Sequence, residues 1–193
     1  LNQVWRYNQT NNLEAAGWPA TNFNDSAWPA GPGLLAFENN NAINALIHTT
    51  LTDPRIPPPG LTPGHAYYFR TSFALTNNLA GFTVTASAYI DDGAVVYVNG
   101  NEVFPRIRLT SGAITNATLA TGTPSGGDAT TPDTFVIPAT MFVPGTNVIA
   151  VEVHQSATNS SDIVWGMALT ASTQLQNCEP ATVVLNEIFA RNQ

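Results

Sequence analysis

Two consecutive acidic residues before a glycine, Asp91-Asp92-Gly93, are the sharpest chemical feature of this chain. Paired carboxylates can hold calcium or act as acid and base. They can equally cap free backbone N–H groups in a turn, and their position between two strand-like segments favours a tight turn with a positive-φ glycine. Calcium takes about six to eight oxygen ligands, so the others would have to come from distant loops. We therefore predict a turn, assign no metal ligands and leave calcium as the open alternative.

Glu152 and His154 are a second candidate pair, because residues two apart on a strand point to the same face. A zinc site would need a third ligand, and the other histidines, His48 and His65, lie in unrelated predicted loops. A hydrogen-bonded pair at the end of a strand is the favoured prediction. The same carboxylate and imidazole could also form hydrogen bonds to vicinal hydroxyls of a sugar.

Two arginines and a tryptophan complete the candidate ligand-binding set. Arg106 and Arg108 are predicted to alternate on one face beyond a hairpin, where they either bind sugar hydroxyls by forked hydrogen bonds or form salt bridges at a solvated edge. Trp165 follows Asp162 and either stacks on a pyranose or packs in the core. The predicted ligand-binding residues are Asp91, Asp92, Arg106, Arg108, Glu152, His154, Asp162 and Trp165.

Composition excludes several classes of function. No G-x-S-x-G motif, plausible cysteine–histidine pair or glycine-rich phosphate loop occurs, and only 10% of residues are charged, so we predict that the chain is not an enzyme. All six basic residues are arginines and the net charge is -7, which disfavours nucleic acid as a partner. No apolar run approaches the ~20 residues that cross a membrane. Cys178 is the only cysteine, so no internal disulfide can form.

The elements that must position these residues are strands separated by Gly, Pro, Asn and Asp. A short helix is predicted only around Ala42–His48, and loops at Arg55–Pro63 and Thr121–Pro132. Asn99-Gly100 predicts a hairpin. Clear strand candidates are Tyr67–Ala74, Gly81–Ile90, Ala94–Val98, Asp133–Ile137, Thr146–His154 and Val164–Ala171. Such spacing is typical of an all-β fold, an antiparallel β-sandwich or jelly roll.

Residues 1–172 are expected to form this sandwich as one domain, and residues 173–193 a linker followed by a C-terminal strand. Residues 182–188 have the strand-like sequence, with no sequence after them to complete a second domain. The strand would then belong to a truncated module or pair with a neighbouring molecule. The abrupt opening at Leu1 is what we expect of a mature chain or excised fragment.

Four segments resemble, in order, the motifs of galactose-binding-like domains, which occur in family 2 glycoside hydrolases and many secreted bacterial proteins. They are Trp18–Trp28 (W…F-N-D-S-A-W), Tyr67–Phe73 (Y-Y-F-R-T-S-F), Asp91–Val103 (D-D-G…Y-V-N-G-N-E-V) and Gly145–Asp162 (G-T-N-V-I-A-V-E-V-H-Q…S-S-D). Val183–Asn192 is similar to the first strand of a lamin-tail-like domain. The resemblance implies a galactose-binding-domain-like jelly roll within a secreted multidomain protein, without implying one substrate.

Two functions remain for such a chain. The first is a non-catalytic carbohydrate-binding module, extracellular or at the cell surface, that binds a polysaccharide or glycan through the loops at Asp91–Gly93, Pro105–Leu109 and Ser156–Asp162. The alternative is a structural surface or fibre subunit that self-associates through its C-terminal strand. Low charge, high Thr and Asn content and the orphan C-terminal strand favour this alternative.

Overall fold

The computed structural model describes residues 1–38, 40–173 and 182–183, which contain strands, one short α-helix and one 3-10 helix at Ala139–Met141. The helix, α1, spans Asn41–Asn44 and is shorter than the predicted segment. The strands are β1 Val4–Asn8, β2 Ala30–Pro32, β3 Leu35–Phe37, β4 Thr49–Thr50, β5 Tyr67–Leu75, β6 Thr83–Asp91, β7 Gly93–Val98, β8 Asn101–Glu102, β9 Asp133–Ile137, β10 Gly145–His154, β11 Ile163–Ser172 and β12 Thr182–Val183. All six of the predicted strands are confirmed, with end shifts of at most two residues.

The strands form two sheets that pack face to face, as predicted for a sandwich. Sheet 1 has the order β2-β1-β5-β10-β7-β8, and sheet 2 the order β4-β3-β11-β6-β9, with β12 also paired to β11. Every pairing is antiparallel except β3 with β4. The fold class, an all-β antiparallel sandwich, is therefore the predicted one.

The core lies between the sheets and is formed by every second residue of the central strands. In β10, Ile149, Val151 and Val153 face the core, while Ala150 belongs to a second apolar cluster on the outer face. Apolar side chains therefore cover both faces of β10, as its sequence predicts for a central strand.

The outer face of sheet 1 is covered by the long segment 9–29, which connects β1 to β2. Trp18 packs edge to face against Tyr68 and Tyr97, with ring centroids 4.9 Å and 5.5 Å away. Arg70 on β5 donates hydrogen bonds to the carbonyls of Trp18 and Ala20, which fixes the segment to the sheet. Three of the sequence motifs therefore contact one another here.

The prediction for Asp91-Asp92-Gly93 is wrong in its geometry. β6 belongs to sheet 2 and β7 to sheet 1, so this segment crosses between sheets and does not close a hairpin. Gly93 does not have a positive φ; it is required because a Cβ atom there would lie 2.8 Å from Cβ of Ala120 and 2.9 Å from the carbonyl oxygen of Arg108. A close approach of three chain segments therefore explains this glycine.

The hairpin at Asn99-Gly100 is confirmed. Both residues have positive φ, 52° and 81°, as a two-residue hairpin turn requires, and they connect β7 to β8. Asn99 also donates a hydrogen bond to Asn147 Oδ1 at 2.8 Å and accepts one from Val148 N at 2.9 Å, which joins the turn to β10.

The C-terminal strand is described only at Thr182–Val183, where it pairs with Ala171 and Ser172 of β11 in the same chain. The remainder of 182–188, the linker, Cys178 and the lamin-tail-like segment lie outside the described residues. The boundary between 1–172 and 173–193 stays a prediction. Among the helices of the described residues, none is long and apolar enough to cross a membrane.

Candidate functional site

The three loops predicted to bind a ligand meet at one end of the sandwich. The Asp92 carboxylate accepts a hydrogen bond from Ser156 N at 2.6 Å. Arg108 donates to the carbonyls of Asp92 and Ile90 at 2.6 Å and 2.9 Å, and pairs with both carboxylate oxygens of Asp133 at 2.8 Å. The strands next to these loops belong alternately to the two sheets. Loops that are distant in the sequence therefore meet at the same end of the sandwich.

Most of the predicted side chains at this end are buried, however. Asp91, Asp92, Glu152 and His154 are all buried, and among the described residues Asp91 Oδ2 and His154 Nε2 have no hydrogen-bond partner. Asp92 holds the loop that follows β10 against the crossover after β6. All four side chains are therefore turned away from solvent.

Glu152 and His154 lie side by side on β10 as predicted, but the predicted hydrogen bond between them is not formed. His154 Nε2 lies 3.5 Å from Glu152 Oε2, and His154 Nδ1 is 2.8 Å from the Thr118 carbonyl oxygen. The Tyr97 hydroxyl donates to Glu152 Oε1 at 2.9 Å. Burial, followed by the Glu152 charge, strongly raises the pKa of Tyr97, so the phenol stays neutral and keeps its role as donor.

Arg106 and Arg108 contact different parts of the molecule and do not act on one face together. Arg106 pairs with the Glu102 carboxylate and donates to the Thr110 and Gly112 carbonyls at 2.7 Å and 2.6 Å. Arg108 bridges instead to β9 of sheet 2 through Asp133. Both guanidinium groups form salt bridges, which was the alternative prediction for them.

Trp165 does not line a ligand surface. Its side chain is 0% exposed and packs against Trp5 and Phe69 between the sheets. The sugar-stacking interpretation of Trp165 is therefore wrong, because the alternation of β11 turns this position inward.

A group of three carboxylates lies beside these loops and includes a residue that the sequence did not indicate. Oxygens of Glu38, Asp91 and Asp162 lie within 4.8 Å of one another. Burial, then the Asp162 charge, raises the pKa of Asp91 to about 9. Burial, then the Glu38 charge, raises the pKa of Asp162 to about 6. Glu38 was missed because the preceding strand, β3, is only three residues long and has no clear pattern.

A polar groove of about 410 Å³ lies elsewhere, on the outer face of sheet 1. Its floor comes from residues of the neighbouring strands β2, β1, β5 and β10, and its wall from the covering segment 9–29. The polar and aromatic lining includes Gln3, Arg6, Thr21, Phe23, Asp25, Ser72 and Thr146. The prediction placed binding at the end loops and missed this groove, since strand pairing alone brings its residues together.

Two arginines hold the carboxylate of Asp25 in place in this groove. It accepts a hydrogen bond from Arg70 Nε at 2.8 Å, and Arg6 Nε lies 3.4 Å from its other oxygen. The Arg70 side chain is buried, whereas those of Arg6 and Asp25 are 41% and 25% exposed. The Arg6 guanidinium, the Asp25 carboxylate and the half-buried ring of Phe23 therefore line one solvent-accessible groove.

A larger cavity of about 550 Å³ opens between the sheets at the opposite end from the three carboxylates. Its lining is mainly apolar and includes Leu1, Phe73, Leu79, Phe142 and Met167. None of its described lining residues has an acidic or basic side chain, although polar residues such as Gln3 and Thr71 are among them.

Comparison with solved structures finds the same fold in glycosidases. Bacteroides uniformis β-glucuronidase 2 matches with a TM-score of 0.52 and 16% identity over 90% of this chain and 17% of that chain. A family 2 glycosyl hydrolase from Bacteroides cellulosilyticus DSM 14838 matches with a TM-score of 0.52 and 15% identity over 90% of this chain and 20% of that one. At such identity the likeness shows the fold alone. No protein-family model and no curated protein matches the chain.

Proposed function

We propose that this chain is a non-catalytic carbohydrate-binding module of a larger secreted multidomain protein, and that it binds a glycan in the groove on sheet 1. The observation that carries the proposal is the exposed Arg6–Asp25 pair beside Phe23 in that groove. The glycosidase domains that share this fold belong to carbohydrate-active proteins and support the same class of ligand.

The groove has the donors and acceptors that sugar hydroxyls need. A hydroxyl both donates and accepts, so a carboxylate such as Asp25 and a guanidinium such as Arg6 can bind neighbouring hydroxyls of one ring. The ring of Phe23 offers an apolar surface for the C–H face of a pyranose. Arg70 holds Asp25 in place before the ligand arrives, which reduces the ordering cost of binding.

The charges of the groove favour binding over hydrolysis. Glycosidases use two carboxyl groups about 5–9.5 Å apart, one of which must be protonated as the acid. Among the described residues that line the groove, Asp25 is the single carboxylate, and two arginines contact it. The described lining therefore supplies no second carboxyl group as a partner.

The test is a glycan array followed by calorimetry with plant and algal polysaccharides, using a variant that fills the groove. Ser72 is exposed on β5 and lines the groove, so Ser72→Tyr would block it without removing a core contact. Thr134→Tyr places the same side chain at an exposed position of β9 in sheet 2 and is the matched control. We expect the Ser72 variant to lose at least about tenfold in affinity, roughly 1.4 kcal/mol, and the control to bind normally.

Absence of binding to every glycan would contradict the proposal, and so would equal binding by the two tyrosine variants. Release of reducing sugar from a bound polysaccharide would contradict its non-catalytic part. For the assembly alternative, Thr182–Val183 already has a partner in β11 of its own chain, which favours the binding module.

A further inference from the structure

Three neighbouring strands of sheet 2 bring Glu38, Asp91 and Asp162 together. Glu38 follows β3, Asp162 precedes β11 and Asp91 ends β6, and these strands are adjacent in the order β3-β11-β6. The register pairs Ile163 with Phe37 and Val164 with Asp91, so all three carboxylates emerge at the same end of the sheet. Their oxygens lie within 4.8 Å of one another.

The environment of Asp91 is unfavourable for a carboxylate. Its side chain is 1% exposed, and its Oδ2 atom has no hydrogen-bond partner among the described residues. A buried carboxylate oxygen without a partner is costly, and two further carboxylates nearby add repulsion. A positive charge at this point would remove both penalties.

Among the described residues, no positively charged side chain forms an ion pair with Asp91 or Asp162. The chain has no lysine, and the described arginines pair with carboxylates outside the group. These ion pairs are Arg6 and Arg70 with Asp25, Arg55 with Asp53, Arg106 with Glu102, and Arg108 with Asp133. Arg55 also attracts Asp162, but through a longer-range interaction than its bidentate contact with Asp53.

We propose that Glu38, Asp91 and Asp162 bind one divalent cation, and that the cation is Ca²⁺. Calcium–oxygen distances are about 2.3–2.6 Å, so two ligands of the same ion lie within about 5 Å of each other, as these oxygens do. The group holds only carboxylate oxygens, which suit a hard cation and not zinc. Three carboxylates at the ends of three strands fit the flexible coordination of calcium better than the strict octahedron of magnesium.

Calcium needs its carboxylate ligands in the ionised form, and a bound Ca²⁺ would give the buried Asp91 Oδ2 atom the partner that it lacks. The ion would then join the three strand ends β3, β6 and β11 at the end where the loops gather.

The experiment is calorimetric titration of the full chain with CaCl₂ after removal of metal with EDTA, together with thermal unfolding with and without Ca²⁺. The variants are Asp162→Asn and Glu38→Gln, which keep side-chain size, with Glu14→Gln in an exposed loop as the control. We expect one Ca²⁺ per chain, at least about tenfold weaker binding in each site variant, and wild-type binding in the control. Proton release on binding should appear as heats that depend on the buffer.

The two site variants also separate a cation site from a merely structural role. If the carboxylates exist to hold an ion, each substitution removes repulsion, so the metal-free variant should unfold at the same or a higher temperature than the metal-free wild type. At the same time the variant should lose the rise in Tm that Ca²⁺ produces in the wild type.

Three outcomes would overturn the proposal. They are no heat and no change in Tm with millimolar Ca²⁺, tighter binding of Mg²⁺ or Mn²⁺ than of Ca²⁺, and calcium binding that the site variants do not weaken. Glycan binding by the groove on sheet 1 is measured separately in EDTA, so failure here is distinct from failure of the proposed function.

Discussion

The indole rings of Trp5 on β1 and Trp165 on β11 meet edge to face across the two sheets, with ring centroids 5.2 Å apart and planes at 86°. Neither indole N–H group has a hydrogen-bond partner among the described residues, so the pair stabilises the sandwich by packing alone. This contact joins the sheets at their centre and removes Trp165 from any surface.

Replacement of Trp165 should therefore cost stability. We expect Trp165→Ala to lower the free energy of unfolding by about 3–5 kcal/mol, and Trp165→Phe by less, because phenylalanine keeps most of the apolar volume and removes an unpaired N–H. Urea unfolding measures both. Ile56→Ala, in an exposed loop, is the control and should change stability by less than about 0.5 kcal/mol. A folded Trp165→Phe protein of normal stability that has lost glycan binding would contradict the core role.

Gly93 should tolerate no Cβ atom. Gly93→Ala places a methyl group 2.8 Å from Cβ of Ala120 and 2.9 Å from a backbone oxygen, and we expect a loss of about 1–3 kcal/mol in the free energy of unfolding. Gly122→Ala is the matched control, since a Cβ atom there meets no atom within 4 Å. Addition of Ala120→Gly to the Gly93 variant should recover part of the loss. Equal effects of the two single glycine variants would show that the close approach is not the cause.

Asn99 and Asn147 should be energetically coupled. Asn147 accepts from Asn99 and from Val143 N, and donates to the carbonyls of Val143 and Gly145. We expect Asn99→Ala and Asn147→Ala to be non-additive, with an interaction energy of about 0.5–3 kcal/mol in a double-mutant cycle measured by urea unfolding. Additive losses would indicate that the turn and β10 are held independently.

The metal-free protein should become less stable as pH rises through the neutral range. Burial raises the pKa of Asp91 to about 9 from 3.8, so the folded state holds more protons than the unfolded state between those values. The free energy of unfolding then falls as pH increases across this window and levels off above it. The Asp162, Asp92 and Glu38 carboxylates face Asp91 and add to the effect.

The measurement is thermal or urea unfolding in EDTA from about pH 5 to about pH 8. Asp91→Asn removes the titrating group and should flatten the profile, whereas Asp53→Asn in an exposed salt bridge should leave the decline unchanged. A wild-type profile as flat as that of Asp91→Asn would contradict the raised pKa.

The sequence was sufficient to predict the strands because their signals are local. Alternating apolar residues in β10, glycine at the positive-φ turn after β7 and prolines in the loops each act within a few residues. The very short strands β2, β3 and β4 have no such local pattern. Glu38 directly follows β3 and was therefore not predicted as a site residue.

Local signals do not say which sheet a strand joins. Asp91-Asp92-Gly93 has the sequence of a tight turn, yet it crosses between sheets, because pairing of β6 with β11 and of β7 with β10 outweighs the local preference. The same global pairing turns Trp165 inward and separates Arg106 from Arg108.

The class of fold, most strand positions and the hairpin at Asn99-Gly100 could be predicted from short segments, since hydrophobic period and turn chemistry are short-range properties. The contacts of Asp91 with Glu38 and Asp162, and the position of Arg6 and Asp25 at one groove, became visible only in the folded chain. Those juxtapositions depend on strand order across a sheet, which long-range pairing sets and no single segment encodes.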